Sequence, residues 1–328
     1  MRVRWLILLI SLLPATAMAQ TTVVTSLPRP AGFVQDPPSP STPFIPPTEV
    51  ASGPPTTAFE LFTHPERRFS FTMEAQLLFP VIHQHLQAPI TVPGFYSDTA
   101  HLPFTDQGLA GAIALGVRMK ALGGELGFTY RYLASEGNTT LSNFDPLGAV
   151  PFRSRLDMNN FDFDYFTRDY DVYPRWLVRG DAGVRLATAF FDMQAFGFQY
   201  DRQISNHFVG AGPHLGLHLM RILGDSGVAI MGRIDAGTLF GDVHQQFRDT
   251  VFDGNGTALG FGYTSQRVTR GVPVLVAELG FGAAPGNRTW GQWQVGYQFE
   301  QWWSIGTIGA STADLVNQGM YARWVFSY

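Results

Sequence analysis

MYARWVFSY (320–328) closes the chain, and its alternation decides the fold. Tyr328, Phe326, Trp324, Ala322 and Met320 fall on one face of an extended strand, and Ser327, Val325, Arg323 and Tyr321 fall on the other, because successive strand side chains point to opposite sides. An apolar row that ends on an aromatic, backed by a row holding an arginine, suits a strand with lipid on one side and a lumen on the other. The expectation is the closing strand of a transmembrane β-barrel. A soluble terminal strand is the alternative, and the rest of the chain weighs against it.

At the other end, Arg2 and Arg4 precede an apolar run over residues 5–13, and Ala17, Met18 and Ala19 supply the small residues of a cleavage site. Residues 1–19 therefore read as a signal peptide, and the chain as exported through it. The run is too short to span a bilayer comfortably. Residues 20–67 hold ten prolines between Pro28 and Pro55, mixed with Ser, Thr and Gly. Such a stretch can neither ladder nor bury a core, and reads as a disordered Pro-rich periplasmic tether. For peptidoglycan docking by it there is only composition to cite. Residues 68–328 remain for the barrel.

Composition narrows the class further. Charged residues make up 15% and aromatics 14%, with 27 Phe and 35 Gly, and no apolar run after residue 19 is long enough for a membrane helix. A chain of this kind enters a membrane only as a closed sheet, since lipid cannot satisfy the backbone of an open one. A net charge of -4 gives no basic field for nucleic acid, which is excluded as a partner. With no cysteine there is no disulfide, no thiolate metal site and no lipid-acceptor thiol. The expected partners are outer-membrane lipid, the outer-membrane assembly machinery, and small solutes or ions.

From residue 68 onward, alternating segments follow one another. Phe69, Phe71, Met73, Leu77 and Phe79 alternate with Ser70, Thr72, Glu74 and Gln76. Further rows begin near Leu109, Leu126, Leu156, Trp176, Val209, Val228, Leu275, Trp293 and Met320. At Asn159 and Asn160 the apolar phase slips, from Leu156 and Met158 to Phe161, Phe163 and Tyr165. A bulge is expected there. The count is all-β, a single antiparallel barrel of about ten strands (range about 8–12). Connections alternate in length, short over 121–124, 167–174, 223–227 and 283–288 and long over 80–106, 136–154, 192–208, 242–271 and 304–318. Short periplasmic turns and long outer loops are how outer-membrane barrels are built.

The inward rows make the candidate pore lining. They hold Arg118, Lys120, Arg131, Arg155, Arg179, Arg185, Arg233 and Arg323 against Glu74, Glu125, Asp157, Asp162, Asp164, Asp181, Asp235, Glu278 and Glu300, with His214 and His218. The signs nearly balance. Ten strands leave an interior only slightly wider than side chains fill, so salt-bridged filling and a narrow aqueous path both stand open. Val184, Leu186, Leu217 and Val295 are expected to meet lipid. A polar replacement at Arg185 is expected to cost much less than an arginine at Val184 or Leu217.

Candidate chemistry is sparse. His83, His85 and His101 fall in the first long loop, where solvated histidines are the ordinary case. His214 and His218 are four residues apart on one strand face, about 13 Å by the strand rise, too far to share one metal. Asp253, Gly254, Asn255, Gly256 and Thr257 read as a turn and lack the remaining ligands of a calcium loop. Asp162, Asp164, Asp169 and Asp171 gather near a short turn, where a solvated rim is favoured over a weak cation site. No nucleophile elbow, phosphate loop or zinc motif occurs. No catalytic, cofactor or metal site is expected, and an outer-membrane hydrolase or acyltransferase would have to recruit His101 or His207.

GVRLATAFFD (183–192), SNHFVGAGPHLGLHL (205–219), DAGTLFGD (235–242), VPVLVAELGFG (272–282) and WQVGYQFEQWW (293–303) stand in that order. They resemble the pore-forming outer-membrane proteins of the Legionella major outer-membrane protein type. The resemblance spans residues 68–328 and carries structural glycines and aromatics rather than catalytic residues. It implies an outer-membrane pore passing ions or small solutes passively; a non-conducting envelope barrel is the alternative.

Overall fold

The computed structural model describes residues 68–327, apart from 85–86, 93, 95, 102–104, 145–147, 198–199, 284–290 and 309–310. The segments read as signal peptide and tether, and Tyr328, lie outside the described residues. Ten long strands follow in chain order: β1 Phe69–Gln84, β2 Ala110–Ala121, β3 Gly124–Phe144, β4 Gly148–Phe166, β5 Trp176–Gly197, β6 Tyr200–Leu223, β7 Val228–Phe252, β8 Ala258–Ala283, β9 Gln292–Ile308 and β10 Ser311–Ser327. Each pairs antiparallel with the next, and β1 pairs with β10, so the sheet closes on itself as a ten-strand barrel. The seam is made by the C-terminal row, with Phe326 opposite Phe71, Trp324 opposite Met73 and Ala322 opposite Ala75. Closure leaves no edge whose backbone groups lipid would have to satisfy.

At one end of the barrel the connections are tight. Leu122 and Gly123 link β2 to β3 with φ of 53° and 79°, the left-handed pair whose twist matches a two-residue hairpin. Between β6 and β7, Ser226 Oγ donates to the Leu223 carbonyl at 2.6 Å. Between β4 and β5, Tyr170–Tyr173 folds back onto the start of β5. The turn expected at 283–288 lies largely outside the described residues.

At the other end the expected long loops are strand. β7 runs for 25 residues and β8 for 26, against about ten needed to cross a bilayer. Glu136, Asp192, Asp242 and Ser304, each placed at the start of a loop, lie within β3, β5, β7 and β9. Asp253 closes the β7–β8 hairpin, its Oδ1 accepting from the N–H groups of Asn255 (2.8 Å) and Thr257 (2.7 Å). The Thr257 N–H, then that of Asn255, hold the Asp253 carboxyl below the usual carboxylate range. This is an Asx turn, as expected for 253–257. After the first strand, Gln87–Val92 and Tyr96–His101 form a separate two-stranded hairpin.

The expected bulge at Asn159 and Asn160 is absent. The β3–β4 register runs unbroken from Glu125 opposite Phe166 to Leu141 opposite Val150. Leu156 and Met158 are buried inside the barrel together with Asn160 and Asp164, while Arg155 and Asp157 face outward and pair at 2.7 Å on the exterior. The apolar residues change sides because the surroundings change. In the half near the tight turns the exterior is apolar and exposed (Phe71, Leu115, Val184, Leu217, Leu279 and Val295) and the interior is charged. In the other half the interior holds Leu156, Met158, Phe191, Phe208, Phe247 and Trp302, and the exterior carries Arg155, Asp157, His207, Asp242 and Arg267. The apolar exterior of the first half suits lipid, and the charged groups on the exterior of the second suit water. Register breaks among the described strands lie between Leu141 and Phe144, between Asp171 and Tyr173, between Val251 and Phe252, and between Trp302 and Gly306, where Ser304 takes φ of 57°.

Val184→Arg or Leu217→Arg, each within the exposed apolar band, should therefore lower folding stability in lipid vesicles by roughly 2 to 4 kcal/mol. Gln246→Arg, on the exterior of the hairpin half, should change it by less than about 0.5 kcal/mol. Urea titration of vesicle-folded protein measures both; equal costs would mean that the band is misplaced.

Candidate pore interior

Glycine-spaced, charged positions at the turn end of the strands build the interior site. On inward-facing positions stand Glu74 of β1, Arg118 and Lys120 of β2, Glu125 and Arg131 of β3, Arg179, Asp181 and Arg185 of β5, and His214 and His218 of β6. Arg233 and Asp235 of β7, Glu278 of β8, Glu300 of β9 and Arg323 of β10 complete the set. Asp157, assigned to the lumen from the sequence, is corrected to the exterior, and so is Arg155. The cause is the change of medium described above: β4 keeps one backbone register while its apolar residues move from the lipid side to the core side.

The charges are joined into a ladder. Arg185 forks onto Asp162 (Nε–Oδ1 2.7 Å, Nη2–Oδ2 3.1 Å) and reaches Asp235 at 3.3 Å. Asp235 also takes Arg233 at 3.5 Å and His214 Nδ1 at 2.8 Å. Glu278 bridges Arg233 (3.6 Å) and Arg323 (2.9 Å), and Arg323 also binds Glu74. Arg131 binds Glu300, which accepts from Trp302 Nε1 at 2.9 Å. Arg179 meets Glu125 at 2.5 Å, and the Arg118 guanidinium lies 4.0 Å over the Phe166 ring. Asp162 and Asp164, read from the sequence as part of a solvated rim, are inside this ladder, whereas Asp169 and Asp171 are exposed.

Two spaces lie among these groups. A cavity of about 210 Å³ opens at the tight-turn end, walled by Lys120, Glu125, Arg179, His218, Arg233 and Arg323. A smaller one of about 70 Å³ lies deeper, reaching Gln76, Arg131 and Arg185. Several buried polar atoms of the ladder make no protein hydrogen bond, among them Arg185 Nη1, Arg179 Nε and Asp235 Oδ1. Ordered water is the ordinary partner of such atoms. Beyond Trp302 the interior turns mainly apolar, and Phe208, Phe247, Leu239 and Met193 fill most of it, beside the buried amides of Asn206 and Gln245. Within that outer half a strong ion pair, Arg202 with Asp249 (2.8 and 2.9 Å), is buried.

The polar amides that complete the ladder were not singled out from the sequence. Gln76 donates to Gln298 Oε1 at 2.9 Å, and Asn317 donates to Glu300 at 3.4 Å. Their inward phase was the available signal. Of the histidines weighed for chemistry, His207 faces outward opposite His244, His83 is exposed at the end of β1, and the side chains of His85 and His101 lie outside the described residues.

No protein-family profile matches the chain, and no curated protein does. Among solved structures, the chain is similar to the outer membrane protein OprG from Pseudomonas aeruginosa, at 8% identity over 79% of this chain and 97% of that one, with a TM-score of 0.34. It is similar to a major outer membrane protein from Thermus thermophilus at 12% identity over 76% and 99%, TM-score 0.30. The Pseudomonas putida toluene transporter TodX matches at 10% identity over 84% and 93%, TM-score 0.28. At these values none of them bears on what this chain does.

Proposed function

We propose that the protein is an outer-membrane pore that rests closed and passes ions or small solutes passively when its apolar segment opens. The observation that carries this reading is the two-part interior: a charged half with a cavity open at the tight-turn end, in series with an apolar half filled by Trp302, Phe208 and Phe247. A largely hydrophobic constriction stops ions by excluding water, and the Arg202–Asp249 pair within it is internally neutralised. The resemblance of residues 183–303 to pore-forming proteins of the Legionella major outer-membrane protein type supports the same reading. Both signs of charge line the ladder, so selectivity should be weak and size should limit passage.

Single-channel recording of the refolded chain in planar bilayers tests it. Wild-type protein should show small, infrequent openings, and Phe247→Ala together with Trp302→Ala should raise the open fraction several-fold. The filled outer interior specifically favours one other reading, a non-conducting structural barrel. Silence of the folded wild type and of the opened variant would establish that one instead.

A further inference from the structure

We propose that Asp164, Asp181 and His214 bind one divalent transition-metal ion, of the zinc class, and that the ion clips β4, β5 and β6 together inside the membrane half of the barrel. The inference does not rest on the pore reading. Sheet register brings the three residues together: Asp164 stands opposite Gly183, which stands opposite His214, while Asp181 stands opposite Gly216. A glycine thus lies beside each candidate ligand. One donor atom from each of the three lies within 4.8 Å of the others, and all three residues are at least nine-tenths buried, with exposures of 5%, 5% and 2%.

The glycines make room for the donors themselves. A Cβ at Gly183 would stand 2.1 Å from Asp164 Oδ1 and 2.9 Å from His214 Nε2, and one at Gly216 would stand 2.3 and 2.5 Å from the Asp181 oxygens. Asp164 Oδ1, Asp181 Oδ2 and His214 Nε2 each lack a hydrogen bond. Asp164 Oδ1 and His214 Nε2 approach to 2.9 Å without hydrogen-bond geometry. Asp181 Oδ2 is thus buried without a hydrogen bond, and the Asp164–His214 pair is buried without good hydrogen-bond geometry, an arrangement that is costly unless something serves it.

Charge points the same way. Glu74, Glu125, Asp162, Asp235, Glu278 and Glu300 each pair with an arginine. Among the described residues, Asp164 and Asp181 pair only with histidines, His214 and His218. Two carboxylates without arginine are balanced by one divalent cation. The surroundings then hold the ligands: His214 Nδ1 contacts Asp235 Oδ2 at 2.8 Å, which aims Nε2 at the aspartates, and Asp235 is itself occupied by Arg185 and Arg233. A carboxylate behind a metal-binding imidazole is the usual further support of such sites. His218 contacts Asp181 Oδ1 at 2.7 Å and lines the 210 Å³ cavity, which gives an entry path.

One imidazole and two carboxylates suit zinc and its first-row neighbours better than calcium or magnesium, which prefer an all-oxygen shell. Ligand bonds of about 2.0 to 2.2 Å in tetrahedral geometry would part Asp164 Oδ1 and His214 Nε2 slightly from their 2.9 Å separation. The test is titration of the full chain, folded in detergent from metal-free buffer, with zinc chloride against a colorimetric chelator. One zinc per folded barrel is expected, uncompeted by millimolar magnesium. Asp181→Asn and His214→Gln should each weaken binding by at least about 100-fold, since loss of a group that only supports a ligand costs about 10- to 100-fold. His207→Gln, removing half of the exterior pair His207 and His244, should leave it unchanged. Folding is read separately from the heat-dependent shift in gel mobility, so a misfolded variant is recognised and the isosteric Asp181→Asn decides. A folded wild type that takes up no zinc overturns the proposal, and so does zinc binding lost with His207→Gln but kept in folded Asp181→Asn.

Discussion

Arg185→Gln should destabilise the barrel by about 3 to 5 kcal/mol, the cost of removing one partner from a buried ion pair. Alternation along the strand suggests the opposite, that a polar replacement here is tolerated because the position faces a lumen. Arg185 is instead 4% exposed and holds Asp162 through two hydrogen bonds while reaching Asp235. Glutamine leaves Asp162 buried without its countercharge. Adding Asp162→Asn should recover part of the loss, because the pair is then removed as a unit. Arg155→Gln breaks a pair of the same length on the wet exterior, where the arginine side chain is 55% exposed, and should cost less than about 1 kcal/mol. Urea midpoints of vesicle-folded protein rank the variants; an Arg185→Gln cost as small as that of Arg155→Gln would mean that the ladder is hydrated enough to replace the guanidinium.

Removing residues 326–328 should abolish accumulation of folded protein in the outer membrane while leaving export intact. Phe326 pairs with Phe71 and Ser327 with Ser70 across the seam, and Phe326 stacks on Trp324 at 5.9 Å between ring centres. Without those residues the start of β1 keeps an open edge where lipid offers no hydrogen bonds. Deleting residues 28–55, which precede β1 in the chain, should not affect accumulation. Cell fractionation with heat-dependent gel mobility reads both results, and normal outer-membrane levels of the truncated chain would refute the role given to the seam.

Class, closure and the faces of the turn-end half are legible in the chain without its fold. Alternation in MYARWVFSY and in the rows from Phe69, Trp176 and Leu275 reports the contrast between lipid and lumen across a strand, and that contrast is local, readable two residues at a time. The same local signal fails where the medium changes along a strand. At Asn159 and Asn160 the apolar phase moves from one face to the other in an unbroken register, because lipid outside gives way to an apolar core inside. A phase slip of that kind is indistinguishable from a bulge until the neighbouring strands are in place, so Asp157 falls on the wrong side by alternation alone and the hairpins read as loops. The partners are fixed by tertiary packing: Arg323 with Glu74, 249 residues apart, Arg131 with Glu300, 169 apart, and His214 beside Asp164 and Asp181 across two glycines. Those meetings depend on how far each strand is shifted against the next, a quantity set by the turns and by closure of the whole sheet rather than by any segment alone.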